Sequence, residues 1–261
     1  MRFLAETHSH TSISPHAYHS IQEMIDKAKD LGLELLSITN HGPHTPDGPH
    51  EWHFQNMKAL PRKIGDLYLL HGVEANIIDM NGTIDVREEV LKRLDLVIAS
   101  IHRPTLAPGT VEEHTNTYLK VIQNPYVDIL GHCGSPDYSF DIDRVLIEVK
   151  KQDKIVEINN HTFSTRKASL ENCLRIAKRC QEMGVKMVVS TDAHSIYELG
   201  KTHAAEQVIA AAGVDEELIM NTTAEKFLSY LCKRKGFDRA RFEDEEPFGL
   251  PKLPLDIPDI F

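Results

Sequence analysis

The chain has 261 residues, 41% of them hydrophobic, with a formal net charge of -10, fifteen histidines and four cysteines. That length suits one large α/β domain or two small ones. The acidic balance, with no basic block, argues against a stable nucleic-acid complex, and no run of about 18 apolar residues offers a membrane span.

The N-terminal MRFLAETHSH has no basic region followed by a long apolar stretch, so no signal peptide is expected. The cysteines form no CxxC pair, and Cys173 and Cys180 share one predicted helix face as reduced core residues. Both features place the chain in the cytoplasm. In chain order, short runs rich in Ile, Val and Leu occur at 1–7, 33–39, 67–74, 95–101, 127–132, 154–159 and 186–192. They read as strands buried on both faces. Between them the spacing predicts amphipathic helices. The first carries Ile21, Met24, Ile25, Ala28 and Leu31 on one face and ends at Gly32; others cover 86–94, 143–151, 169–184, 206–213 and 224–236. This βα alternation implies a parallel sheet, doubly wound or closed into a barrel, over residues 1–236. Residues 237–261 read as an acidic, proline-rich surface tail.

The strand ends carry the chemistry. His8 and His10 follow the first run, His41 the second, Glu74 ends the third, His102 and His132 follow the next two, and Asp192 and His194 close the last. The carboxyl ends of parallel strands meet on one face, so these residues converge, and His16 in the first βα loop reaches the same place. In the HxH pair, alternate residues face the same way. A single strand-end histidine is usually an ordinary hydrogen-bonded residue. Hence His19, His44, His50, His71, His114, His161 and His203 are taken as structural. The convergent set of imidazoles and carboxylates suits two or three zinc, manganese or iron ions, with Glu74 and Asp192 as natural bridges. Two carboxylates leave such a cluster net positive, which favours a multiply anionic substrate such as a phosphate monoester.

The segments HSH (8–10), ITNHGP (38–43), HGVEANI (71–77), SIHRP (100–104), ILGHCGSP (129–136) and STDAH (190–194) together resemble the PHP (polymerase and histidinol phosphatase) family. The stretch ITNHGPHTPDGPHEWHFQNMKALPR is similar to its YcdX-like phosphatase branch, and the resemblance covers residues 3–235. It implies a single-domain distorted (β/α)7 barrel with a trinuclear site at its C-terminal face, zinc in all three positions or manganese or iron in one or more. By motif position His8, His10, Glu74 and Asp192 would hold one ion. Glu74, His102 and His132 would hold a second, and His16, His41 and His194 the third. A hydroxide bridging the metals would attack phosphorus, with Asp192, Glu74 and His194 as the catalytic residues. Two positions depart from the family pattern, Glu6 and Asn40 standing where Asp is usual; both are expected to orient His8 or His41.

Substrate contacts are expected from His50 and His53 in a lid over 42–58, where Trp52 either joins them or packs the loop down with Phe54. Arg103, and Arg166 and Lys167 with Asn160 after the sixth run, are the candidates for phosphate. The expected activity is a metal-dependent phosphomonoesterase acting on a small anionic phosphate ester, the chain itself being free to form a homo-oligomer. The alternatives are a phosphodiesterase or exonuclease, a metal-dependent amidohydrolase, and a non-catalytic metal-binding scaffold.

Overall fold

The computed structural model describes residues 1–165 and 169–245. Its strands are β1 (Ala5–Glu6), β2 (Leu35–Ile38), β3 (Lys63–Ile64), β4 (Leu67–Asn76), β5 (Leu96–Ser100), β6 (Ile129–Leu130), β7 (Ile155–Asn159) and β8 (Met187–Ser190). Every apolar run marked in the sequence coincides with one of the seven parallel strands, β4 running two residues further than expected; they lie side by side in the order β1-β2-β4-β5-β6-β7-β8, and among the described residues the short β3 alone is antiparallel, paired with β4.

Alternation along each strand divides the core in two. Ala5, Leu35, Leu70, Leu96, Ile98, Ile129, Ile155 and Val188 form one apolar cluster, and Leu36, Leu69, Val97, Leu130, Val156 and Met187 join the other, against the surrounding helices. The first cluster is plugged from below by Phe227, Leu228 and Leu231 of the helix Ala224–Lys235 and by Phe242. Emptying a fully buried position such as Phe227 by Phe→Ala costs about 3–5 kcal/mol. Residues 237–245 therefore begin by closing the base of the barrel rather than lying across its surface. Arg241 Nε donates to buried Asp95 at 2.8 Å, and residues 246–261 of the expected tail lie outside the described residues.

The ring closes between β1 and β8 by side chains as much as by backbone. Above the strands, Ser9 and Ala193 form a parallel bridge, and His10 N–H donates to Ala193 C=O at 2.9 Å. Below, buried Asn221 spans the gap. Its amide donates to Ala5 C=O (2.9 Å) and Val189 C=O (2.6 Å) and accepts from Val189 N–H (3.0 Å). Between these levels the Glu6 carboxylate accepts from His8 N–H (3.0 Å) and from both N–H (3.2 Å) and hydroxyl (2.5 Å) of Thr191.

The helices agree with the sequence less evenly. Ile21–Asp30 opens with a Ser20–Glu23 capping box and ends before Gly32, whose φ of +67° is the left-handed conformation a glycine adopts freely. The helix expected over 86–94 shrinks to Glu88–Leu91, while Val111–Ile122 forms a full helix that the apolar pattern does not announce. Its core face buries His114, Thr115 and Thr117, so polar residues occupy the stripe that periodicity looks for. Among the described residues, no helix is long and apolar enough to cross a membrane.

Candidate metal centre

All nine candidate ligands meet at the carboxyl ends of the strands. Glu74, fully buried at the end of β4, is the hub. Its Oε2 lies 2.7 Å from His41 Nδ1, 3.4 Å from His8 Nε2 and 3.6 Å from His10 Nε2. Its Oε1 lies 2.9 Å from His132 Nε2 and 3.2 Å from His102 Nε2. The two oxygens thus address two different sets of imidazoles. On the far side Asp192 Oδ1 faces His10 Nε2 at 2.9 Å and His8 Nε2 at 3.4 Å, and His16 Nε2 approaches His41 Nε2 at 3.0 Å. The rings of His10, His16, His41 and His194 stack around this end, those of His10 and His194 with centroids 4.3 Å apart. Potential ligand atoms of His8, His10 and Glu74, of His41, Glu74 and His102, and of His10, His41 and His194 form three overlapping groups, each within 4.8 Å.

The outer nitrogens show which way the lone pairs point. Nδ1 of His8 meets Glu157 Oε1 (2.7 Å), that of His16 meets Asp47 Oδ2 (2.5 Å), that of His102 meets Asn76 Oδ1 (2.7 Å), and that of His194 meets the Asp192 carbonyl (2.9 Å). An acceptor at Nδ1 requires the proton there, so Nε2 keeps its lone pair turned inward. Asn76 is itself oriented, its amide nitrogen donating to Gly42 C=O (3.2 Å) and Asp85 Oδ2 (2.6 Å). Inside the cluster, His8 Nε2, His41 Nδ1 and Glu74 Oε2 are buried without a hydrogen-bond partner. Orphaned acceptors facing each other are costly unless something positive lies between them. Imidazole and carboxylate donors so arranged fit divalent zinc, manganese or iron.

The electrostatics of the protein alone point the same way. Burial works against ionising Glu74 and Asp192, yet the imidazoles around them, His102 and His8 foremost for Glu74 and His8 for Asp192, hold both carboxyls well below the usual range. Burial also opposes charge on His8, but Asp192, Glu157 and Glu74 outweigh it and raise its pKa well above that of an ordinary imidazole. Burial, then His41 and His194, keep His10 well below. The backbone is committed too: His132 (φ 26°) and Asp192 (φ 51°) sit in the left-handed region, a strain tolerated where surrounding contacts fix the side chain. Asn159 Nδ2 supplies one such contact, donating to Asp192 Oδ2 at 3.0 Å.

The two departures from the family pattern do other work than expected. Glu6 accepts from the backbone of His8, not its ring, and ties β1 to β8; burial raises its pKa to about 7. Asn40 does not orient the His41 ring. Its Oδ1 accepts Thr11 N–H at 2.8 Å and its Nδ2 lies 3.2 Å from His53 Nε2, so it pins the first βα loop to the lid. The residues that do orient imidazoles, Glu157, Asp47 and Asn76, were not singled out in the sequence. A lone carboxylate inside the apolar run of β7 marks Glu157, and the two-residue spacing from Glu74 marks Asn76. Nothing local marks Asp47, thirty-one positions from His16.

A cavity of about 520 Å³ opens above the cluster, lined by His16, His41, His102, Asp192 and His194 together with Tyr18, His161 and Glu198. The described side chains among those named for substrate contact lie elsewhere. Exposed His50 packs edge-on to Trp52, itself 71% exposed, and accepts its N–H; Phe54 and Met57, not Trp52, pack the lid down. His53 is turned to Asn40, with burial lowering its pKa to about 4. Arg103 points to solvent, 3.6 Å from Asp137. Asn160 Oδ1 accepts the N–H groups of Ala204 and Ala205 at a helix start, so it is spent on capping. Arg166 and Lys167 lie outside the described residues.

Comparison with known proteins follows the same lines. The family model of the PHP domain matches residues 6–161. A probable phosphatase of Acetivibrio thermocellus is 42% identical over 235 residues, 90% of this chain and 98% of the relative. One of Thermoanaerobacter pseudethanolicus is 45% identical over 237 residues, 90% of this chain and 97% of its own. A crystal structure of histidinol phosphate phosphatase from Lactococcus lactis, complexed with zinc, L-histidinol and phosphate, superposes with a TM-score of 0.56. It is 16% identical and covers 81% of this chain and 94% of that one, a likeness of fold.

Proposed function

Since this chain belongs to the PHP domain family and is a phosphatase acting on phosphate esters, we propose that it is a phosphomonoesterase whose nine convergent residues hold three divalent ions. The observation that carries the proposal is the inward set of lone pairs in the cluster: four imidazoles locked by outer acceptors, and three buried acceptor atoms that face one another without a hydrogen-bond partner among the described residues. His8, His10, Glu74 and Asp192 would hold one ion, Glu74, His102 and His132 a second, and His16, His41 and His194 the third. Zinc, which the Lactococcus lactis relative of similar fold contains, suits this donor set; manganese and iron suit it as well. When bound, the ions would supply Lewis-acid activation of water and of the phosphoryl oxygens.

The protein's own part is to bind and to orient. Two carboxylates accompany seven imidazoles in the ligand set, and even with Glu157 and Asp47 behind them the charge of three divalent ions is not cancelled, so the loaded centre would be net positive and favour a phosphate dianion over the single charge of a diester. Glu157, Asp47, Asn76 and the Asp192 carbonyl hold the ring planes and tautomers. The test combines elemental analysis of reconstituted protein with turnover of a monoester and a diester sharing one chromogenic leaving group. Up to three ions per chain and faster monoester hydrolysis are expected. One ion or none defeats the trinuclear reading, and a faster diester defeats the monoesterase.

A further inference from the structure

β7 is the parallel strand whose carboxyl end supplies none of the nine ligands, yet a built structure stands there. His161, two residues beyond the strand, stacks its ring on that of His194 with centroids 5.1 Å apart and planes 27° from parallel. Its Nδ1 lies 3.5 Å from Glu198 Oε1. Glu198 is anchored through its other oxygen, which accepts the His194 N–H at 2.8 Å and the Ser195 hydroxyl at 3.3 Å. The backbone under His161 is equally fixed. Asn160 N–H donates to Ser190 C=O at 2.9 Å, and the His161 carbonyl accepts the hydroxyls of Ser164 (2.8 Å) and Thr165 (3.0 Å).

Both side chains line the cavity next to His194, at the edge of the ligand cluster, and Tyr18, 78% exposed, lines it as well. A carboxylate is an acceptor only, and it repels the oxygens of a phosphate dianion. The Glu198 side of the cavity therefore cannot be where the phosphoryl group sits. What remains for it is the other half of the ester. Building on the phosphatase reading, we propose that His161 and Glu198 form the leaving-group subsite, and that it selects alcohols bearing a hydrogen-bond donor, hydroxyl or ammonium, over hydrocarbon or carboxylate-bearing alcohols. Among the described residues Glu198 Oε1 pairs with His161 Nδ1 at 3.5 Å, longer than a good hydrogen bond, so a donor on the substrate adds to its contacts. A donor on the substrate replaces the water at this 39% exposed carboxylate, whereas an analogue lacking the donor displaces that water without replacing its hydrogen bond and so binds less well. The Tyr18 ring offers an apolar face to the carbon chain.

The experiment uses the metal-loaded full chain and four monoesters: glycerol 1-phosphate, phosphoethanolamine, propyl phosphate and 3-phosphoglycerate, with inorganic phosphate as competitive inhibitor. The wild type should favour the first two over propyl phosphate by about tenfold or more in kcat/KM, in keeping with the rejection expected of a donor-reading site, and should turn over 3-phosphoglycerate slowest. Which of the two leads tells hydroxyl from ammonium recognition. Glu198→Gln should erase the preference mainly through KM, and His161→Phe, which keeps a ring against His194, should weaken it; in both, inhibition by inorganic phosphate should stay within about twofold, since phosphate does not reach this subsite. Equal turnover of all four esters by the wild type, or unchanged discrimination in Glu198→Gln, overturns the subsite. So does a parallel loss for every ester accompanied by weaker phosphate inhibition, which marks the pair as support for His194. Hydrolysis of p-nitrophenyl phosphate separates the two readings: with it present and discrimination absent, only the subsite falls, whereas no hydrolysis of any monoester removes both.

Discussion

Glu157→Gln is a nearly isosteric change with an uneven result. Glu157 is buried and accepts four hydrogen bonds: Oε1 from His8 Nδ1–H (2.7 Å) and Ser190 (2.6 Å), Oε2 from His132 N–H (2.7 Å) and Asn159 Nδ2 (3.2 Å). A glutamine must place its NH2 at one of these ends. At the Oε2 end it confronts a backbone N–H, which has no alternative. At the Oε1 end it confronts His8 Nδ1, and imidazole can answer by moving its proton to Nε2. The second arrangement is the cheaper, and it closes the lone pair that faces Glu74 and Asp192. Losing one hydrogen bond to a charged group costs about 1.5–3 kcal/mol, the scale of the 10–100-fold losses in metal affinity that follow such outer substitutions. Chelator competition on the variant should show the ion assigned to His8 loosened by that factor. The 15N shifts of His8 in metal-free protein, recorded at alkaline pH where the ring has lost its second proton, should move from the Nδ1–H to the Nε2–H tautomer. Metal affinity within twofold of wild type, with the tautomer unchanged, refutes the reasoning.

Glu74→Gln should release at least one ion and abolish activity while circular dichroism stays native; full activity would show that Glu74 is not a bridge. Metal loading near neutral pH should release protons, because the pKa of His8 is raised in the metal-free chain and a ligand nitrogen must be unprotonated. Calorimetry in buffers of different ionisation enthalpy measures this, and a buffer-independent heat argues against it. His71 is buried on β4 with its pKa lowered from 6.5 to about 4 by burial, partly opposed by Asp95. The unfolded chain thus takes up a proton first as pH falls. The stability this group lends is full above pH 6.5 and is lost towards pH 4, by about 3 kcal/mol at most. Urea unfolding of metal-free protein should therefore show a shallower acid decline in His71→Leu, and identical declines would discount the group. Asn221→Ala strands a buried N–H and two carbonyls at about 1–3 kcal/mol each for the worst placed, so Tm should drop by roughly 5–10 °C; a drop under 2 °C would mean that water or backbone replaces the amide.

The strands were legible because a strand buried on both faces writes an uninterrupted apolar run, and eight of the nine convergent residues because they stand where those runs stop, His16 alone lying out in the first βα loop. The family motifs then sharpened a sheet or barrel into a barrel. What stayed hidden is held by contacts distant in sequence. Asp47 reaches His16 from a proline-rich loop, and the helix Val111–Ile122 presents buried polar residues to the core. The roles of Glu6 and Asn40 were misjudged for a related reason. Each adjoins a candidate ligand along the chain, but its hydrogen bonds run sideways, to Thr191 and to Thr11. His161 was set aside because a lone histidine is usually structural, and only the position of Glu198 and the cavity gives it a task.

The join between β1 and β8 has a consequence for when the centre can exist. The first and last parallel strands are some 180 positions apart, and the side chains that hold them together, Asn221 and Glu6, lie directly beneath His8, His10 and Asp192. Contacts of such long sequence separation come late, after the loops between them have been ordered. A chain emerging from synthesis therefore carries its HxH pair from the outset but cannot complete the site until residue 194 and the 219–222 rung have docked. Incomplete chains would hold metal only through scattered histidines. Once the ring is shut, ions shared between His8, His10 and Asp192 would act as a rivet across its least continuous joint, so that local opening of the barrel and loss of metal become the same event.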